Sequence, residues 1–132
     1  MPETQNPKSE TLNKSEIRNQ KQYDLSKRTF EFTARVITYL NDLPRNISNI
    51  EISKRLIRSA GSVGANYLEA EESLSKKDFI MHIKISRKEA KESIYWLQLS
   101  QPQNEVIVEK ECLIDEATQL MNIFGSIVQK CQ

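Results

Sequence analysis

Arg58-Ser59-Ala60-Gly61-Ser62-Val63-Gly64-Ala65-Asn66-Tyr67-Leu68-Glu69-Ala70 is the stretch whose reading decides the fold. Around and within it, Leu56, Ala60, Val63, Tyr67, Ala70 and Leu74 recur by fours and threes, the spacing of one helix face. One position further round runs a second stripe of small or polar residues, Ser59, Ser62, Asn66, Glu69 and Ser73. Gly61 and Gly64 sit in the middle of this helix, where each glycine costs about 0.5–1 kcal/mol relative to alanine. Close approach of another backbone is the reason to expect there, and a tolerated kink on an exposed face is the plainer alternative.

Working outward, the chain divides into helical segments. Residues 1–22 are polar and are expected to form a disordered or loosely helical tail, with the folded unit over 23–132. Asp24 or Ser26 is placed to cap a first helix whose buried face carries Leu25, Phe32, Val36, Leu40 and Leu43, with Pro44 ending it. Ser48 or Asn49 is the expected cap of the second helix, which starts with Ile52, Leu56 and Ile57 and runs to about Leu74. Ser75 with Asp78 resembles a capping box with Asp for the usual Glu, and a helix continuous through 75 is the alternative.

The third helix carries Phe79, Ile83, Ser86, Ala90, Ser93 and Leu97 on one face and Ile85, Glu89, Glu92, Trp96 and Leu99 on a second stripe, before Pro102 closes it. Asn104 opens a fourth helix marked by Ile107, Ile114, Ala117, Met121, Phe124 and Val128. With no strand periodicity, the fold expected is all-α, an up-down-up-down four-helix bundle. The heptad-spaced stripes on helices two and three exceed what one core can use, so the protomer is expected to belong to a closed homo-oligomer.

An antiparallel hairpin of helices two and three turning near residue 75 makes paired positions add to roughly 150. That register predicts a salt bridge from Arg58 to Glu92 or Glu89, places Asn66 near Lys84, and gives Glu69 and Asn66 hydrogen bonds in the same groove.

Composition narrows the function. The 132 residues carry a net charge of +1, so any signal for nucleic acid must be local. Apolar content of 38% against 28% charged residues, with three glycines and four prolines, suits a few long amphipathic helices. Cys112 and Cys131 have no cysteine or histidine near them, which speaks for reduced thiols in a cytoplasmic protein and against zinc. No apolar run reaches the ~18 residues of a membrane span, and neither a signal peptide nor a membrane partner is expected.

Catalytic constellations are weak. A carboxylate-bridged metal site in a bundle uses two Glu-x-x-His motifs; Glu69/Glu72 and Glu89/Glu92 have the spacing, but the sole histidine is His82. No nucleophile motif surrounds any Ser or Cys, so no catalytic residue, metal, cofactor or small-molecule substrate is expected. A carboxylate-metal bundle enzyme is the distant competitor.

The local signal is basic. Lys76, Lys77, Lys84, Arg87, Lys88 and Lys91 stand against Asp78 and Glu89 on helix three, and Lys77, Lys84, Lys88 and Lys91 share one face as candidate phosphate contacts. No exposed aromatic is expected among them for base stacking. Helix four is acidic, with Glu105, Glu109, Glu111, Asp115 and Glu116. The alternatives are therefore a solvated face, or basic and acidic faces docking in a protein-protein interaction module that involves no nucleic acid.

Two blocks carry a family resemblance: Arg58-Ser59, Ser62-Val63-Gly64-Ala65-Asn66-Tyr67 and Glu69-Ala70, then Asp78-Phe79-Ile80, Lys88-Glu89-Ala90, Glu92 and Tyr95-Trp96-Leu97. Over residues 24–130 the chain resembles the four-helix bundle proteins encoded within 23S ribosomal RNA intervening sequences. Ala60 and Leu68 stand where that family varies, and the polar tail lies outside its pattern. The resemblance implies a protomer of a ring, usually a homopentamer. It also implies kinship with retroelement accessory proteins that bind RNA and a reverse transcriptase.

Overall fold

The computed structural model describes residues 14–132, with side chains from Leu25 onward. Four helices make up the fold: α1 Lys14–Asn41, α2 Ile47–Glu71, α3 Lys76–Leu99 and α4 Ile107–Cys131, the last preceded by a 3-10 turn at Asn104–Val106. Among the described residues there is no strand.

All four helices share one core. Phe32, Val36 and Tyr39 of α1 meet Leu56, Ala60, Val63 and Tyr67 of α2, Ile83, Ala90 and Leu97 of α3, and Leu113, Ala117, Leu120 and Phe124 of α4. Ala60, Ala90 and Ala117 leave room for the large side chains packed against them. Each fully buried Leu, Ile, Val or Phe contributes about 1.5–3 kcal/mol.

Several boundaries differ from expectation. Helix α1 begins at Lys14, so Asp24 and Ser26 are interior to it and do not start it; of the tail expected to be disordered or loosely helical, residues 1–13 lie outside the described residues and 14–22 are helical. Asn46, not Ser48 or Asn49, caps α2: its Oδ1 accepts from the Asn49 amide at 2.8 Å and from the Ser48 hydroxyl at 3.1 Å. Three adjacent residues of the right chemistry compete there, and only the extended backbone of Asn46 suits a cap. Helix α2 stops at Glu71, and Leu74 is fully exposed in the turn.

Ser75 caps α3 as expected, accepting from the Asp78 amide at 3.1 Å, and the break at 75 excludes a continuous helix. In α4 Ala117, Phe124 and Val128 are buried as expected, but at two other positions the residue one earlier takes the core place. Leu113 and Leu120 are in the core while Ile114 and Met121 are half-buried and Ile107 is exposed. Ile57 of α2 is likewise exposed.

One end of the bundle is pinned by polar groups. Asn49, 1% exposed, donates from Nδ2 to the Pro44 and Gln101 carbonyls at 3.0 Å each and accepts from the Gln101 amide at 3.0 Å. This joins the α1–α2 loop to the α3–α4 loop. Nearby, Tyr39 Oη lies 2.6 Å from Ser100 Oγ, which donates to the Leu97 carbonyl, so the phenol is the donor. Lys110 of α4 bonds the carbonyls of Gln98 and Ser100.

Candidate functional site

The family-like residues assemble on the α2–α3 hairpin. Ser59 Oγ lies 2.9 Å from Ser93 Oγ, Ser86 Oγ donates to the Val63 carbonyl at 2.9 Å, and Asn66 Oδ1 lies 3.3 Å from His82 Nδ1. With Arg58 against Glu92, every pair adds to between 148 and 152, the antiparallel register expected. Ser59, Ser86 and Ser93 are fully buried, and their small side chains let the two helices come close.

The Arg58 bridge forms, but at the surface: Nη2 stands 3.6 Å from Glu92 Oε2, and the arginine side chain is 61% exposed. Glu92 Oε2 also accepts from Trp96 Nε1 at 3.0 Å. The Arg55 guanidinium lies 5.6 Å from the Trp96 ring centre, and Tyr95 meets Trp96 edge to face at 4.8 Å. Glu89 takes no part in the bridge; it is 8% exposed and its Oε1 is buried without a hydrogen-bond partner.

Two expected contacts are replaced. The partner of Asn66 is His82 and not Lys84, which points outward; Asn66 Nδ2 donates to the Ser62 carbonyl at 2.9 Å, leaving Oδ1 to accept from an Nδ1-protonated imidazole. Glu69 is exposed, and its backbone carbonyl accepts from Ser73 Oγ at 3.1 Å and from the Glu72 amide at the end of α2, outside the groove. A register alone fixes which residues are level: about the helix axis Lys84 lies nearly a half-turn from the seam, and Glu69 lies at its outer edge, about 60–80° from Asn66 and Ser59.

The glycines part company. A Cβ on Gly64 would sit 3.1 Å from Thr29 Oγ1 and 3.2 Å from Thr29 Cβ, so close approach of α1 explains it. A Cβ on Gly61 would meet nothing within 4 Å, so close packing does not explain that one. Tyr67 is buried beside them, and burial, the Glu71 charge and a hydrogen bond to Glu71 hold its phenol well above its ordinary pKa.

On the outer face of α3, Lys77, Lys84, Lys88 and Lys91 are all exposed. Lys76, Lys77, Lys84 and Lys88 wall an open groove with Ile80, Met81 and Ile85 at its base. None of the four candidate lysines makes an ion pair among the described residues. Two of the acids of α4 are met instead by α1: Arg28 binds Glu116 at 2.9 Å and Arg35 binds Glu109 at 3.2 Å. Tyr95 corrects a further expectation. It is 56% exposed and extends the row Lys84, Lys88, Lys91 by one more helical step, so an aromatic does stand with the lysines.

The profile of the 23S rRNA-intervening sequence protein family matches residues 21–126. The chain belongs to this family. A solved relative, a protein of unknown function from the S23 ribosomal protein family of Bacteroides thetaiotaomicron, is 30% identical, with a TM-score of 0.69. The similarity covers 83% of this chain and 98% of that one. No curated protein matches.

The sequence reading gave Asn49 a capping role in place of its loop-joining one, and it missed Arg28 and Arg35. A polar residue on the Asn49–Ile52–Leu56 stripe was the available signal for the first. The two arginines carry no signal until α1 is set beside α4.

Among the described residues no three or more His, Cys, Asp or Glu side chains group as a metal site, and no helix is long and apolar enough to cross a membrane.

Proposed function

We propose that this family member is a non-enzymatic helical scaffold of the cytoplasm whose α3 lysine row contacts RNA. In this reading the chain is an up-down-up-down protomer that closes into a ring, five-fold by family resemblance, and a ring repeats the lysine row in every copy. A reverse transcriptase or another RNA-handling protein is the natural protein partner. The supporting observation is the row itself: Lys77, Lys84, Lys88 and Lys91, exposed, without carboxylate partners among the described residues, and continued by the exposed Tyr95. Lysines supply phosphate contacts, and an aromatic in line supplies a stacking face for an unpaired base.

The test is RNA binding over a salt series. Affinity is expected to fall steeply as salt rises, and a Lys84→Glu/Lys88→Glu variant is expected to lose most of it with a shallower salt slope. Tyr95→Ala should weaken single-stranded RNA more than duplex RNA. Equal binding by the lysine variant, or none by the wild type at low salt, removes the RNA role and leaves a purely structural protein-protein module.

A further inference from the structure

Glu89 is the group of the α2–α3 seam that the fold does not explain. Only 8% of it is exposed, its Oε1 is buried, and neither carboxylate oxygen makes a hydrogen bond or an ion pair among the described residues. Taking a carboxylate out of water without a donor is costly, and buried polar groups are nearly always paired. About the α3 axis Glu89 lies roughly 40° outward of Ser93, which is in the seam, and roughly 60° inward of Glu92, which is at the surface. Its carboxylate therefore floors the groove between the two helices and lacks a donor there.

The surroundings select the donor. By the α2–α3 register Ser62 is level with Glu89 across the groove; it is half-buried, and its hydroxyl makes no hydrogen bond among the described residues. Ile85, one turn before Glu89, is half-buried and offers apolar surface. Arg58 is level with Glu92, and Arg55 meets the Trp96 ring seven residues, or about 10 Å of rise, beyond Glu89. Arg55 pairs with no carboxylate among the described residues. A metal ion fits poorly, because no three His, Cys, Asp or Glu side chains group there. An ammonium or guanidinium fits poorly as well, because it enters past two arginines. The groove suits a neutral edge with two adjacent N–H donors on a flat apolar ring, joined to an anion that reaches the arginines.

Guanine in a nucleotide meets each condition. Its N1–H and N2 amino group point the same way and match the two oxygens of one carboxylate. Its O6 accepts from the Ser62 hydroxyl, and the ribose carries the phosphate toward Arg58 and Arg55. Adenine and cytosine set one amino donor beside a ring acceptor, and uracil sets one N–H between two carbonyls. Each of these turns a lone pair on the carboxylate.

We infer that the α2–α3 groove is a guanine site, in which Glu89 accepts from the Watson–Crick edge of the base and Arg58 and Arg55 hold its phosphate. The exposed Arg58–Glu92 pair, at 3.6 Å, is the contact that yields to admit the base, since surface pairs of this kind are weak. The base comes from single-stranded RNA, where unpaired bases are read on this edge, or from a free guanine nucleotide. For the RNA source the inference rests on the function proposed above.

Calorimetric titration of the wild type with guanosine, inosine and adenosine monophosphates at low salt tests the site. Inosine lacks only the N2 amino group of guanosine, so this comparison needs no variant. Guanosine monophosphate is expected to bind about tenfold tighter than inosine monophosphate, the worth of one hydrogen bond to a charged acceptor, and adenosine monophosphate to bind weakest. Glu89→Gln keeps the shape and removes the unpaired charge. It is expected to melt no lower than wild type by circular dichroism and to lose the preference for guanosine. Equal binding of guanosine and inosine monophosphates by wild type, or an unchanged preference in Glu89→Gln, overturns the site. A uridine oligonucleotide bearing one guanine, set against the same strand bearing inosine, identifies the source. The same preference there assigns the site to RNA, and a preference confined to the monophosphate assigns it to the free nucleotide. Lys84→Glu/Lys88→Glu is expected to weaken both strands alike. Absence of all oligonucleotide binding at low salt removes the RNA reading, and the monophosphates still decide the guanine site.

Discussion

Ser59 Oγ and Ser93 Oγ stand 2.9 Å apart in the buried seam of α2 and α3, and each also lies within hydrogen-bond reach of a carbonyl of its own helix, Leu56 and Glu89. Two hydroxyl protons serve three contacts, so one hydroxyl donates across the seam while the other donates within its helix. Removing either oxygen strands little, because each carbonyl keeps its helical partner. Ser93→Ala is therefore expected to cost about 1 kcal/mol or less. Ser59→Leu must push the helices apart, at about 1–3 kcal/mol or more. Urea midpoints that rank the two variants the other way would show that small size at this seam is incidental.

The two glycines predict opposite signs. Gly61→Ala adds a methyl to open space in a helix interior and is expected to stabilise by about 0.5–1 kcal/mol. Gly64→Ala presses on Thr29, which is 2% exposed and holds the Ser26 carbonyl at 3.0 Å, so it cannot step aside. Its melting temperature is expected to fall by a few degrees while that of the Gly61 variant rises, at one protein concentration. Two rises would place slack at Thr29.

The α2–α3 hairpin was legible because Leu56, Ala60, Val63, Tyr67 and Ala70 on one helix and Ile83, Ser86, Ala90, Ser93 and Leu97 on the other are spaced as buried stripes, with Ser75 between them as a cap. Elsewhere the pattern was degenerate. Leu113 and Ile114, like Leu120 and Met121, are adjacent apolar residues, and which of each pair faces inward depends on where α1 lies. The cap of α2 was hidden among Asn46, Ser48 and Asn49, which share cap chemistry and differ in backbone angle. The lysine row was legible from spacing alone, whereas its continuation to Tyr95 was obscured by the reading of Tyr95-Trp96-Leu97 as one signature.

The hairpin register predicts the Arg58–Glu92 bridge, and the exposure of the arginine limits what the bridge can do. An exposed pair at 3.6 Å contributes at most about 1 kcal/mol. Arg58→Ala is expected to lower the urea midpoint slightly, by an amount that vanishes in high salt. A loss above 2 kcal/mol that persists in salt would mean that Arg58 holds something more than this surface pair.

Alkaline pH gives a separate handle through the tyrosines. Burial, then the Glu71 charge and hydrogen bond, raise the Tyr67 pKa above its ordinary 10.0; burial raises that of Tyr39, partly offset by its bond to Ser100. The folded chain thus holds both phenol protons more tightly than the unfolded chain. Below the unfolded value the two states bind equal numbers, and the contribution is flat. Above about pH 10 the unfolded chain loses protons first, so stability falls as pH rises. A Tyr39→Phe/Tyr67→Phe variant is expected to show a shallower decline in urea midpoint above pH 10. A decline as steep as that of wild type would assign the effect to other groups.

Asn49 carries the strongest prediction, because its amide supplies two donors and one acceptor to three backbone groups of two separate loops. Asn49→Leu keeps the volume but leaves the Pro44 and Gln101 carbonyls and the Gln101 amide without it. At about 1–3 kcal/mol for each group left unsatisfied, softened by water entering the loop, a loss of roughly 3–5 kcal/mol is expected. That is a large part of the 5–15 kcal/mol typical of a domain. Asn49→Asp should be worse at neutral pH: its carboxylate keeps the acceptor for Gln101 but turns a negative oxygen on two carbonyls. Acid should separate the two variants. Protonation restores one donor to the aspartic acid, so its deficit relative to Leu should shrink as pH falls toward about 4. Urea denaturation of both at neutral and acidic pH reads this directly. If the Asp variant matches wild type at pH 7, the loops are not held together by this amide.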